Sequence, residues 1–175
     1  ANEPEKMYRF MMDNMYFPDA EPNVIHDKMA ALTKQGRAKI ITQNVDGLHK
    51  KAGSEATIEF HGSLYDIYAV TDGKKATLAE YMTNMRRSDG ALLRPGITLY
   101  GEIPFNVEEA AVWVNQADLI VIVGTSFVVY PFAGLLQYAK AGVPVLAINL
   151  ERIPAPDRVQ QIIGDATVFF DELHI

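Results

Sequence analysis

The sequence predicts an α/β fold, a doubly wound parallel sheet carrying a small inserted module. Short β-rich blocks such as residues 119–123 and 145–148 alternate with helical stretches of about ten residues, the pattern of strands joined by crossover helices. The block at 119–123, Leu-Ile-Val-Ile-Val, is apolar throughout, as a strand buried on both faces requires. The residues following the strand blocks are glycine or polar, and an open α/β sheet binds its ligands beyond the carboxyl ends of its strands.

The first helical pattern covers residues 4–16, with Met7, Phe10, Met11 and Met15 at helical spacing, and the second covers 23–35, closed by Gly36. Residues 39–42 read as a strand. A turn and short helix at 46–52 and an extended piece at 57–60 lead into a mixed segment, 64–93, with the composition of a small module. Residues 1–63 and 94–175 are therefore expected to form the main domain around it. From Ile97 the alternation resumes: strand 97–100, helix 107–115, strand 119–123, helix 131–140, strand 145–148, and a last strand near 167–170. Residues 119–139 are uncharged and about long enough to span a membrane, but Gly124-Thr125-Ser126 and Pro131 interrupt them, so no span is expected.

With 175 residues, 49% hydrophobic and 22% charged, the chain suits one globular domain, or one plus a small insert. Sixteen basic against 22 acidic residues give a net charge of −6, which disfavours non-specific binding to nucleic acid or anionic membrane and suits a basic protein substrate better. The absence of cysteine excludes disulfides, thiol nucleophiles and thiolate metal sites, and an intracellular, cytoplasmic protein is the simplest expectation. The opening Ala-Asn-Glu-Pro-Glu-Lys offers no signal-peptide core.

Three strand ends carry candidate chemistry: Gln43, Asn44, Asp46, Gly47 and His49 after the first strand, Gly124, Thr125 and Ser126 after the buried one, and Asn149 after the next. All suit the ribose and phosphate of a nucleotide. Strand-to-helix turns also favour such residues for backbone reasons alone.

Together, Thr42-Gln-Asn-Val-Asp-Gly-Leu-His49, Ala52-Gly53 and Glu59-Phe-His-Gly62 closely resemble the core signature of the sirtuins, NAD-dependent protein deacylases with a Rossmann-like domain. Leu93-Arg-Pro95, Tyr100-Gly-Glu102, Gly124-Thr-Ser126, Ile148-Asn149 and Gly164-Asp-Ala166 keep the family's order, and the resemblance runs from about Pro22 to the C-terminus.

The resemblance implies NAD as cofactor and an acylated-lysine protein or peptide as substrate, with nicotinamide and O-acyl-ADP-ribose as products. In this family the acyl-lysine oxygen attacks the anomeric carbon of the nicotinamide ribose. A histidine then removes a ribose hydroxyl proton so that the acyl group can migrate. His61 matches that base, and an imidazole near its reference pKa is suited to the task at neutral pH. By the same carry-over Asn44 and Gln43 would hold the reactive ribose and a water, Asp46 the nicotinamide carboxamide, and Ser126 and Asn149 the adenine-side ribose. Gly124 would let backbone approach the cofactor, with Thr125 beside it. Ile97, Tyr100, Gly101 and Glu102 would meet the substrate, with Ile97 and Tyr100 lining the path of the lysine stem. His49 and His26 read as structural, and His174 carries no assignment.

Two departures accompany the match. The family's module is held by zinc on two cysteine pairs, but the first pair falls on Ala69 and Asp72 and the second on Arg86 and Asp89, so no structural zinc is expected. The family's opening strand, Gly-Ala-Gly phosphate loop and arginine-containing loop have no counterpart in the sequence, so the chain is expected to represent an N-terminally shortened or incompletely represented member. Rival readings are a protein ADP-ribosyltransferase using the same pocket and an inactive binding module.

Overall fold

The structure, a computed structural model, describes residues 3–175. Two helices open it, α1 (Pro4–Asn14) and α2 (Val24–Lys34). Asn23 caps α2: its side-chain oxygen accepts from the amides of Ile25 and His26, while the His26 ring accepts from the Asn23 amide. Strand β1 (Ile40–Thr42) then runs parallel to β2 (Thr57–Glu59) through the short helix α3 (Leu48–Lys51). A second parallel sheet has the order β6 (Ile120–Val123), β7 (Val145–Asn149), β8 (Val159–Ile163). Before β6 in the chain lies α5 (Val107–Gln116), which with Leu135 and Phe132 packs over Ile58 and Phe60.

The inserted segment is antiparallel. Strand β3 (Gly62–Ala69) pairs with β4 (Lys75–Ala76) on one side and β5 (Leu93–Ile97) on the other, with α4 (Leu78–Thr83) between β4 and β5 in the chain. Its core joins Ile67, Ala69, Tyr81, Ala91 and Leu93 to Tyr8, Met12 and Tyr16. Leu78 packs against the same cluster. Leu64 packs instead with Met11 and Ile97.

Four elements differ from expectation. The strand anticipated at 97–100 is β5, Leu93–Ile97, and includes Arg94-Pro95-Gly96. Its place at the sheet edge permits this, because a proline there leaves no ladder bond broken. The strand anticipated at 167–170 is helix α6 (Ala166–Asp171); the Asp165 carboxylate accepts from the Thr167 amide at 2.8 Å, and this cap overrides the β-rich composition. The last strand is β8, whose two glutamines obscured it in the sequence. The helix expected at 131–140 is a 3-10 turn, Ala133–Tyr138. Among the described residues no helix is long and apolar enough to cross a membrane.

Candidate active site

The carboxyl ends of β1, β2 and β6 converge, and His61 stands at the turn from β2 into β3. Gly62 is required at that turn. Its φ is +80°, and a Cβ there would lie 1.9 Å from the Gly96 carbonyl oxygen, so the close approach of β3 to β5 depends on a missing side chain. The His61 carbonyl accepts from the Thr98 amide at 2.9 Å, and the Phe60 carbonyl accepts from the Phe105 amide at 3.0 Å. Burial lowers the His61 pKa, and a hydrogen bond to the Gln43 backbone opposes it in part. The imidazole is therefore neutral at pH 7 and able to accept a proton.

Past β1, Gln43 reaches across to the other parallel sheet: its side-chain oxygen accepts from the Thr125 hydroxyl at 3.2 Å. Thr125 is held in turn by Asn149, whose amide oxygen accepts from the Thr125 N–H at 3.0 Å and whose amide nitrogen donates to the Thr125 carbonyl at 3.1 Å. Asn149 is buried, 8% exposed, and its side-chain amide braces this loop. Gly124 and Ser126 are exposed beside it, and Gly124, at φ +59°, has open space where a side chain would stand. Asn44 is exposed, with its backbone amide tied to the Thr42 hydroxyl at 3.0 Å. One Asp46 oxygen accepts from the Leu48 amide at 3.0 Å and starts α3.

Of the four residues expected to meet the substrate, Tyr100 is fully exposed and Gly101 turns the chain at φ +87°. Ile97 is only 5% exposed and packs with Met11 and Leu64. The Glu102 carboxylate is fully engaged by Arg94 and the Leu99 amide.

His26 and His49 pack ring against ring, centroids 4.7 Å apart and planes tilted by 52°. Burial is the main cause lowering both pKa values, and Asp46 works against it in each. Their roles are packing and capping, as read from the sequence. The positions where cysteines would hold zinc do not fit the metal. Ala69 is buried and apolar, and the carboxylates of Asp72 and Asp89 both pair with the Arg87 guanidinium, at 2.9 and 2.7 Å. The described residues contain no group of three or more metal-ligating side chains.

Sequence reasoning did not anticipate the Gln43–Thr125 bond, the Arg87 clamp or the Arg94–Glu102 pair. Each joins side chains that only the tertiary fold brings together. An exposed run, Val128 to Tyr130, just beyond Phe127 at φ +57°, was also passed over, although its apolar character after a polar loop was visible.

Parallel strands whose polar ends surround a neutral histidine define a Rossmann-like enzyme of the nucleotide-using class. The Sir2 family model matches residues 1–131. An NAD-dependent protein deacetylase of Lactiplantibacillus plantarum is 44% identical across all of this chain and 76% of its own length. One from Listeria monocytogenes is 45% identical over 99% of this chain and 77% of its own. A solved Sir2 in complex with the inhibitor EX-527, 2′-O-acetyl-ADP-ribose and a deacetylated p53 peptide superposes with a TM-score of 0.87 at 32% identity, covering 97% of this chain and 78% of that one. The chain belongs to the Sir2 family.

Proposed function

We propose that the chain is an NAD-dependent protein-lysine deacylase that releases nicotinamide and O-acyl-ADP-ribose. The observation that carries the reading is His61, a neutral imidazole at the β2–β3 turn, tied to Gln43 and flanked by the 98–105 loop. The relatives named as NAD-dependent protein deacetylases and the Sir2 structure containing 2′-O-acetyl-ADP-ribose support the same chemistry.

The site fits the dinucleotide. Exposed Asn44, the open side of Gly124 and exposed Ser126 offer hydrogen-bonding groups and close backbone approach where the two parallel sheets meet. NAD supplies a glycosidic carbon with nicotinamide as leaving group. His61 accepts a ribose hydroxyl proton, Asn44 and Gln43 orient that ribose, and Asp46 receives the carboxamide. Thr125 and Ser126, held by Asn149, meet the distal ribose. Tyr100 and Gly101 receive the acylated peptide.

The working partition remains residues 1–63 with 94–175 as the NAD-binding domain and 64–93 as the module, supported by the separate antiparallel sheet. The reading places the protein in the cytoplasm, acting on acylated-lysine protein without binding nucleic acid or membrane directly. An acetyl-lysine peptide incubated with NAD and analysed by mass spectrometry tests it. Loss of the acetyl mass with formation of O-acetyl-ADP-ribose is expected. Gain of ADP-ribose on protein would favour the transferase reading, and no change the binding module.

A further inference from the structure

Arg94 projects from β5 and makes a two-toothed ion pair with Glu102, Nη1 to Oε1 at 2.9 Å and Nη2 to Oε2 at 3.1 Å. The same Nη2 donates to the Ile97 carbonyl at 2.8 Å, and the guanidinium lies 5.9 Å from the centre of the Tyr68 ring. Glu102 also accepts from the Leu99 amide at 2.9 Å, and its own amide donates to the Leu99 carbonyl at 3.0 Å. The loop from 98 to 105 is thus pinned three times. Its feet hang on the carbonyls of His61 and Phe60, its inner side chain, Leu99, packs with Met11, Leu64 and Ile97, and its crown is folded around the Glu102 carboxylate.

The crown faces outward. Tyr100 and Ile103 are exposed, and among the described residues the Tyr100 and Gly101 amides donate to no protein group. A loop held rigid with free backbone donors is suited to pairing with an extended peptide. The charges of Arg94 and Glu102 are spent on each other, so the crown does not select a charged neighbour of the lysine. A forked guanidinium–carboxylate pair fixes direction as well as distance, which a single contact does not.

We propose that Arg94 and Glu102 are positioning residues for the acylated peptide, their ion pair holding the 98–105 crown at a set offset from His61 so that a peptide paired with Tyr100 and Gly101 brings its acyl-lysine to the base. The proposal rests on the deacylase reading. The pair is partly solvent-exposed, so its loss removes little global stability.

The test combines steady-state kinetics with direct binding of a fluorescent acetyl-lysine peptide, for the natural protein, Glu102→Gln, Arg94→Lys and the double variant. Each single variant is expected to raise the peptide KM and Kd roughly tenfold while kcat and the KM for NAD stay within about twofold. The double variant is expected to be no worse than either single one, since both remove one interaction. Glu102→Asp, which keeps the charge, should recover part of the loss. Peptide binding unchanged in the variants, or kcat and both KM values falling together with the melting temperature, would overturn the positioning role while leaving the deacylase reading in place. A natural protein that binds the peptide but does not turn it over would refute that reading alone. One that does neither would refute both.

Discussion

At the residue scale the site depends on keeping imidazoles neutral. Burial holds His26, His49 and His61 below the ordinary value of 6.5, so the folded protein takes up protons later than the unfolded chain as pH falls. Their stabilising contribution is complete above the unfolded value of about 6.5 and is lost as the pH falls below it through the lowered folded pKa values. A urea midpoint followed from about pH 8 to about pH 5 should therefore decline on the acid side, and a flat profile would contradict the burial of these rings. For His61 itself, substitution by alanine should lower deacylation by about 10² to 10⁴ while NAD affinity stays within a few fold, because the base acts after binding. Retention of more than roughly a tenth of the activity would remove His61 from the base role. The motif surrounding His61 made this assignment legible. The buried role of Ile97 was not, because an isoleucine on an edge strand can face either way until its partner strand is known.

At the scale of elements, an ion-pair clamp links two parts of the inserted module. Arg87 links Asp72, beyond the β3 end, to Asp89 in the stretch before β5. The Asp89 carboxyl is held at about 2 by that guanidinium first and by the Ala91 amide second. Tyr81 packs edge-on against Tyr8 of α1, and Tyr8, Met12 and Tyr16 join Ile67 and Leu93, so the module shares its core with the N-terminal residues. A chelator should accordingly leave the melting temperature unchanged, and elemental analysis should find no stoichiometric zinc. One zinc per chain would point to ligands outside those described. The missing cysteines were plain in the sequence, but the arginine that bridges the two aspartates was not. Arg86 and Arg87 are neighbours of equal composition, and backbone direction alone decides which faces Asp72.

For the whole molecule, the unpaired sheet edges matter most. Among the described residues, β1 pairs on one side only, with β2, and β6 on one side only, with β7. The Ile120 and Gly124 amides donate toward β7, to Pro144 at 3.0 Å and Ile148 at 3.2 Å, so strand alternation directs those of Val121 and Val123 away from it. The Ile40 amide likewise donates to Ala56 at 2.8 Å, which directs that of Ile41 outward. In the 175-residue chain, hydrogen exchange at Val121, Val123 and Ile41 should be much faster than at Ile40 and Ile122. Equal protection at the two sets would mean that a further strand covers these edges.

The sequence by itself determined the α/β alternation, the order of the strand ends and the residues gathered after them, because strand burial, helix periodicity and turn chemistry are local properties of the chain. The motif containing His61 was local in the same sense. Tertiary structure decided which polar groups remain free for a ligand. The Asn149 amide holds Thr125 and the Glu102 carboxylate pairs with Arg94, while Asn44 and Tyr100 are exposed, and only the folded chain sets these contacts. It also decided the last elements: one capping carboxylate, Asp165, turned a β-rich run into a helix, and pairing with β7 made a strand of the glutamine-bearing segment before it. Hydrogen bonds between residues distant in sequence carry no periodicity, and only the folded chain establishes them.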